Sequence, residues 1–180
     1  MANFKPLSLE ELRHGYLWRV HQRVPGDGGL MVFNRSHYAD VLAVRVLKLV
    51  PRKMWQRKYE HINGFEKMIS DEGTLILKFY LHIDKAKQRK RLRARLLDPS
   101  KHWKFDRSDL EPRKLWPAYT SAYEDVLSKT STSAAPWYVV PANKKWFRNV
   151  VVGTVLVDAL EAFSMRYPEP QEQFVGIEID

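Results

Sequence analysis

The sequence predicts an α/β fold around a parallel sheet, because short apolar segments alternate along the chain with longer segments of helical periodicity. The 180 residues are 44% hydrophobic and 28% charged, a composition typical of a globular domain with a buried core. Residues 1–166 are predicted to form that domain, and the acidic, proline-containing residues 167–180 a flexible tail. Three strands are evident, which is few for the number of helices.

The first half of the chain supplies two of these strands. Ser8 and Glu11 have the spacing of a capping box, which predicts a helix over residues 9–20. Turn and cap residues divide the next segment into a buried strand at 30–33, a helix at 38–49, a helix at 51–73 with a pause at 63–64, and a strand at 74–83.

The second half continues the alternation. Asp84 is predicted to cap a strongly basic helix, which Pro99 ends. The remaining elements are a helix opened by a Ser108–Glu111 capping box and running through Leu127, a strand at 137–140, and a final amphipathic helix capped by Asn143. Most of the tryptophans and tyrosines recur at helical spacing with leucine and valine, so we expect them to pack in the core rather than to stack on nucleotide bases.

Positive charge is concentrated in one short segment. The formal net charge is +9, and residues 85–107, with ten Lys or Arg and two Asp, carry +8 of it. Because like charges on one helix repel each other, an anionic ligand would stabilise this segment. Lys87, Arg91 and Arg95 recur every four residues and are predicted to share one face. The alternative interpretation is an ordinary solvated charged surface.

Two further groups of polar residues fall where α/β proteins bind ligands. Asn34 to Tyr38 follow the predicted strand at 30–33, and the guanidinium of Arg35 suits phosphate oxygens. Lys144, Lys145 and Arg148 begin the last helix, where backbone amides and cations together favour an anion-binding or nucleotide-binding site. For both groups, plain solvent exposure is the alternative.

Several classes of site and location are excluded or disfavoured. The absence of cysteine excludes disulfides, thiolate metal sites and a cysteine nucleophile. The histidines show no paired metal-ligand spacing. Residues 1–17 lack the pattern of a signal peptide, and no apolar run approaches the ~20 residues of a membrane span. We therefore expect a cytoplasmic protein with no membrane partner.

Several motifs, in the right order, resemble the polyphosphate kinase 2 family. Residues 33–38, Phe-Asn-Arg-Ser-His-Tyr, resemble its Walker-B region, residues 81–104 its lid, and residues 135–142, Ala-Pro-Trp-Tyr-Val-Val-Pro-Ala, its last strand. The similarity runs from about residue 4 to 163. It implies a P-loop kinase-like three-layer fold with a parallel sheet and a helical lid at about 84–107. It also implies phosphoryl transfer between inorganic polyphosphate and a nucleoside mono- or diphosphate, AMP or ADP in this branch, with Mg²⁺ as cofactor.

The resemblance also implies roles for single residues. Arg35 would touch the phosphates at the reaction centre, and Arg91 and Arg95 would clamp them from the lid. Lys87 and Lys104 are the further polyphosphate-binding candidates of the lid segment. Metal-binding candidates are Asn34, which stands where many members carry a Mg²⁺-associated aspartate, and Asp40. Ala39 departs from the acidic residue expected at its position.

The largest departure from the family pattern is an absent motif. None of the eight glycines precedes a lysine, so no Gly-x-x-x-x-Gly-Lys phosphate-binding loop is present. The strand that feeds this loop is expected between strands 30–33 and 74–83, so the predicted fold is incomplete. We therefore expect a truncated polyphosphate-dependent nucleotide kinase that is inactive alone. Alternatives are a non-catalytic module that binds polyphosphate or nucleic acid, and an interaction subunit that joins a homo-oligomer or a complementing upstream segment.

Overall fold

The architecture is that of a computed structural model, which describes residues 1–4, 7–167 and 169. The helices and strands in chain order are β1 (Ala2–Asn3), α1 (Trp18–His21), β2 (Phe33–Asn34), α2 (Ala39–Val46), α3 (Arg52–Asp71), β3 (Lys78–His82), α4 (Lys85–Leu97), α5 (Leu110–Lys114), α6 (Trp116–Thr130), β4 (Trp137–Pro141) and α7 (Lys145–Ala162). Short 3₁₀ turns occupy Glu11–Arg13, Pro99–Lys104 and Arg107–Asp109.

The strands form two separate parallel pairs. In the first pair Ala2 lies opposite Phe33, and in the second Lys78 to His82 lie opposite Trp137 to Pro141. No strand pairing joins β2 to β3 within the described parts of the chain. The predicted α/β class with parallel strands is confirmed, although the sheets are small.

Helix α3 lies between the two clusters of the core. On one side it packs against α2 and α6 through buried apolar residues, namely Tyr38, Val41, Leu42, Trp55, Tyr59, Ile62, Ala122 and Val126. On the other side Phe65 meets Ala2 and Phe4 of the first strand segment and Val20 of α1. Burying one such side chain contributes about 1.5–3 kcal/mol, so α3 is the central support of the fold.

The prediction of a buried strand at residues 30–33 is wrong in its extent and burial. Only Phe33 of this run is paired in β2, and Leu30 is 63% exposed. β2 has a strand neighbour, β1, on one edge, and no described element covers the apolar residues that precede it. β1 itself was not predicted, because two residues are too few to show a period of two.

Two helical predictions in the first half need correction. The Ser8–Glu11 capping box is present, with Ser8 N donating to Glu11 Oε2 at 2.7 Å and Glu11 N to Ser8 Oγ at 3.2 Å. It opens a short 3₁₀ turn rather than a continuous helix, and α1 begins only at Trp18. α3 shows no pause at Gly64, because Ile62 and Phe65 pack it into both core clusters.

The capping predictions of the second half are partly wrong. Asp84 caps α4 as predicted, but Asp106, not Ser108, caps the turn before α5, accepting from Ser108 N at 2.8 Å. Asn143 does not cap α7, because its side chain donates to Asp84 Oδ2 at 2.6 Å instead. The tail predicted from residue 167 lies outside the described residues, apart from Tyr167 and Glu169.

Helix α7 packs loosely. It contacts β4, yet none of its 18 residues is fully buried, and Val150 and Val157 are more than half exposed. Despite this apolar surface, no helix in the described part of the chain is both long and apolar enough to cross a membrane.

Candidate functional site

The polar segment directly after β2 contains the one arginine with a positive φ among the described residues. Arg35 adopts φ 61°, the left-handed region, and its side chain is exposed. For a non-glycine residue this conformation costs on the order of 1 kcal/mol, and such strained residues cluster at functional sites. The surrounding structure therefore has to hold Arg35 in place.

A buried carboxylate lies beneath this segment. Glu66 of α3 is 1% exposed, and its Oε1 accepts a hydrogen bond from the Tyr38 hydroxyl at 2.8 Å and lies 3.1 Å from His37 Nε2. His37 and Tyr38 are themselves buried. The residues directly after Arg35 and Ser36 are thus tied to the central helix.

The second oxygen of the same carboxylate binds a buried lysine. Lys78 Nζ lies 2.6 Å from Glu66 Oε2, donates to the Thr130 carbonyl at 2.7 Å and approaches the Tyr38 hydroxyl at 2.9 Å. Burial lowers the pKa of Lys78, and the charge of Glu66 opposes that shift. This network joins α3, β3 and the end of α6 to the segment after β2.

His37 and Tyr38 belong to the predicted candidate segment, but their partners Glu66 and Lys78 were not predicted as site residues. The sequence contains a signal for these two residues, because both interrupt apolar patterns. Glu66 lies four residues after Ile62 on the apolar face of α3, and Lys78 interrupts the apolar run at 74–83. Ionised side chains at core positions are almost always paired. The opposite charges of Glu66 and Lys78 at core positions therefore predict a buried ion pair between them.

The charge of Arg35 acts on Tyr123, which belongs to a pair of neighbouring tyrosine rings. The Tyr80 and Tyr123 rings lie 4.7 Å apart, joining β3 to α6. Burial raises the pKa of Tyr123, the neighbouring Tyr80 and Tyr119 raise it further, and the charge of Arg35 opposes the shift. Guanidinium and phenol groups all donate hydrogen bonds, so this surface suits an anionic oxygen ligand.

The two predicted metal ligands do not form a ready cation site. Asp40 accepts from Arg19 Nη2 at 3.2 Å, and its backbone carbonyl lies 3.4 Å from Lys58 Nζ, so its charge is already matched. Asn34 is an exposed, neutral amide at the end of β2. No group of three or more His, Asp or Glu side chains in the described residues could hold a metal ion. A Mg²⁺ site on Asn34 and Asp40 therefore stays a prediction.

The basic helix α4 is anchored near its start. Arg91 Nη2 donates to the Ala142 carbonyl, just after β4, at 2.6 Å, and Leu92 is buried. Arg113 of α5 donates to the Lys85 carbonyl at 2.8 Å and to Gln88 Oε1 at 2.7 Å. The first half of the predicted lid segment is therefore fixed to the ends of neighbouring elements.

The basic side chains of α4 occupy two different faces. Lys87, Arg91 and Arg95 are half-buried, as expected for residues four apart, whereas Arg89, Lys90 and Arg93 are exposed. Farther along the lid, Arg95 Nη1 donates to the Lys104 carbonyl at 3.2 Å, and Lys104 Nζ lies 4.6 Å from the centre of the Trp103 ring. The structure thus places Arg95 with Lys104, and Arg91 with the end of β4.

The candidate residues at the start of α7 lie near the start of α4. Lys144 and Lys145 are exposed, and Arg148 donates to Asn149 Oδ1 at 2.6 Å. Asn143, directly before them, is joined to Asp84. The prediction that tryptophans pack in the core holds for Trp55, but Trp103 and Trp146 are 79% and 63% exposed. Cationic and aromatic side chains are therefore exposed to solvent both in the predicted lid segment and at the start of α7.

Acid should weaken the connection between the starts of α4 and α7. The hydrogen bond from Lys87 N, followed by the one from Asn143, lowers the pKa of Asp84. A carboxylate with a lowered folded-state pKa stabilises the fold above its ordinary pKa of about 3.9 and loses this effect as the pH falls through the lowered value. We expect the Lys87 amide resonance to shift with a midpoint below pH ~3.9.

The Asp84→Asn variant is the matched control for this titration, because asparagine also caps helices but does not ionise. Nuclear magnetic resonance spectra recorded from pH 7 downwards should show no such step for Lys87 in this variant. A wild-type midpoint at or above the ordinary aspartate value would contradict the assigned contacts.

Comparison with known proteins gives one consistent family. A family profile described as Polyphosphate kinase 2 (PPK2) matches residues 1–168. The AMP/ADP-polyphosphate phosphotransferase of Meiothermus ruber is 56% identical over 171 residues, covering 95% of this chain and 64% of the relative. The ADP-polyphosphate phosphotransferase of Rhodopseudomonas palustris is 41% identical, covering 93% of this chain and 62% of the relative.

Solved structures agree with these relatives. The crystal structure of Polyphosphate Kinase 2 from Arthrobacter aurescens TC1 superposes with a TM-score of 0.91 at 43% identity. It matches 99% of this chain, and the match covers 61% of the solved chain. The present chain thus spans a little under two thirds of the length of these relatives.

Proposed function

Because the chain belongs to the polyphosphate kinase 2 family, we propose that it serves phosphoryl transfer between inorganic polyphosphate and a nucleotide, AMP or ADP. The names of the Meiothermus and Rhodopseudomonas relatives support these substrates. The observation that carries the proposal is Arg35, an exposed arginine held in a strained left-handed conformation at a strand end. That placement suits contact with a phosphate chain.

Phosphoryl transfer depends on positioning and on stabilising the charge of the transferring group. In this proposal Arg35 donates to oxygens at the reaction centre, while Arg91 and Arg95 approach from the lid. Lys87 and Lys104 line the path of the polyphosphate, and Lys144, Lys145 and Arg148 bind the nucleotide. Mg²⁺ enters the proposal as the ion that accompanies the phosphates, since Asn34 and Asp40 form no ready cage for it.

Activity in this proposal requires a segment that the 180-residue chain does not contain. The sequence has no Gly-Lys phosphate-binding loop, and β2 and β3 each have one strand neighbour among the described residues. The apolar residues before β2 and along α7 are exposed. A strand inserted between β2 and β3 would hydrogen-bond with the second edge of each, and it would place the loop beside Arg35. A longer form of the protein or a complementing upstream segment would supply it.

The test is ATP formation from ADP, polyphosphate and Mg²⁺. We compare the 180-residue chain with a chimera that begins with the upstream part of the Meiothermus relative. The chimera is expected to be faster by roughly 100-fold or more, since losing one preorganised group that binds developing charge costs that much. Equal activity of the 180-residue chain would contradict the need for the missing loop.

A second candidate function is favoured by the exposed basic face of α4, formed by Arg89, Lys90 and Arg93. If neither form makes ATP, the chain is better described as a polyanion-binding module. Its affinity for polyphosphate or nucleic acid would then fall steeply with salt. Salt-independent binding, or none, would exclude this second function.

A further inference from the structure

We propose that Glu66 is a positioning residue, which holds Arg35 in its left-handed conformation through His37 and Tyr38. The role in phosphate contact that this gives to Arg35 rests on the proposed function. The positioning itself rests on the contacts of a buried carboxylate that lies 31 residues away in the sequence.

The carboxylate of Glu66 divides its two oxygens between two tasks. Oε2 binds Lys78 Nζ at 2.6 Å, which matches the buried charge. Oε1 is directed to His37 Nε2 at 3.1 Å and to the Tyr38 hydroxyl at 2.8 Å. An ion pair with Lys78 alone would need no contact with the segment after β2. The second oxygen therefore points to a role in fixing that segment.

Arg35 lies between two fixed points of the backbone. On one side Asn34 is paired in β2, and its carbonyl accepts from Phe4 N at 3.3 Å. On the other side His37 and Tyr38 are bound to Glu66, and α2 begins at Ala39. The short distance between these points leaves the chain few ways to turn, so releasing one of them should let Arg35 relax to φ below zero.

The test removes the two contacts to Oε1, together with the contact between Lys78 Nζ and the Tyr38 hydroxyl, and keeps the ion pair. The variant His37→Phe/Tyr38→Phe retains aromatic bulk at both positions, and Glu66 and Lys78 remain paired. We measure the backbone ¹³C shifts of Arg35, which report φ, and the affinity of the 180-residue chain for inorganic tripolyphosphate. Each affinity is measured with and without Arg35→Ala, which forms a double-mutant cycle.

In the wild-type chain we expect Arg35→Ala to weaken tripolyphosphate binding roughly tenfold, as for the loss of one charge-assisted hydrogen bond. In the His37→Phe/Tyr38→Phe background the same change is expected to have an effect below about twofold, because Arg35 is no longer held towards the ligand. The Arg35 shifts should move away from left-handed values in that background. Unmoved shifts together with a full tenfold effect would overturn the proposal.

Two matched variants separate positioning from general loss of stability. Tyr16→Phe removes another partly buried tyrosine hydroxyl bond, to the Lys58 carbonyl at 3.3 Å, and should leave the Arg35 shifts unchanged. Lys78→Met removes the ion pair and lowers stability but leaves Oε1 of Glu66 available to His37 and Tyr38, so it should also preserve these shifts. If Arg35→Ala has no effect on binding in the wild-type chain while the shifts respond as expected, the positioning is supported and the phosphate role of Arg35 is what fails.

Discussion

Replacing Glu66 with alanine is expected to lower the free energy of unfolding by about 3–5 kcal/mol. Glu66 is 1% exposed and lies 2.6 Å from the Nζ of buried Lys78. Truncation leaves that ammonium without its counter-charge and takes the acceptor from the Tyr38 hydroxyl. Urea unfolding followed by circular dichroism measures the loss as a lower midpoint at an unchanged slope.

The control is the ion pair between Lys67 and Asp71 on the same helix, which is exposed on both sides. Asp71→Ala should cost no more than about 1 kcal/mol, the usual value of a surface pair. The double variant Glu66→Met/Lys78→Met should lose less than the two single variants together, because neither charge is then left alone. A loss below about 1 kcal/mol for Glu66→Ala would contradict the buried pair.

Removing the guanidinium of Arg35 is expected to have the largest effect on activity. In the chimera, Arg35→Ala should lower kcat/KM for ATP formation by roughly 100-fold or more. The reason is that the variant lacks a preorganised cation that, in the proposed function, stabilises the negative charge developing on the transferring phosphoryl group. Arg35→Lys keeps the charge but not the planar fork, so we expect only partial recovery. Initial rates of ATP formation at varied ADP and polyphosphate measure both variants.

Arg57→Ala provides the comparison, since Arg57 is exposed on α3 outside the candidate site. Its kcat/KM in the chimera should match that of the chimera without the substitution, which rules out a general effect of losing one positive charge. If the chimera is active and its Arg35→Ala variant retains full activity, the proposed phosphoryl transfer stands and the role of Arg35 in it is wrong.

The elements that could be predicted from the sequence depend on neighbours in the chain. The Asp84 cap, the basic face of α4 and the strand β4 are evident from local caps, charges and apolar residues, and the structure contains each of them. The same holds for the placement of Arg35 after a strand. Residues within a few positions of one another determine such features.

The features that could not be predicted depend on contacts between distant residues. Glu66 meets His37 from 29 residues away, and Asn143 meets Asp84 from 59. Asn143 has the local signature of a helix cap, yet its tertiary partner prevailed. The exposure of Leu30 likewise reflects which elements surround it, which no local pattern encodes.

The hydrogen bond from Arg91 to the Ala142 carbonyl has a consequence for ligand affinity. An anion that binds the same guanidinium nitrogen of Arg91 has to displace the Ala142 carbonyl. This carbonyl therefore competes with the anion for Arg91. A hydrogen bond from a charged donor is worth about 1.5–3 kcal/mol, so the observed affinity is lower than the intrinsic one by roughly ten- to a hundredfold. If Arg91 binds phosphate as proposed, the same exchange would free α4 from the end of β4 only for a ligand of sufficient charge, which would favour long phosphate chains over single phosphate ions.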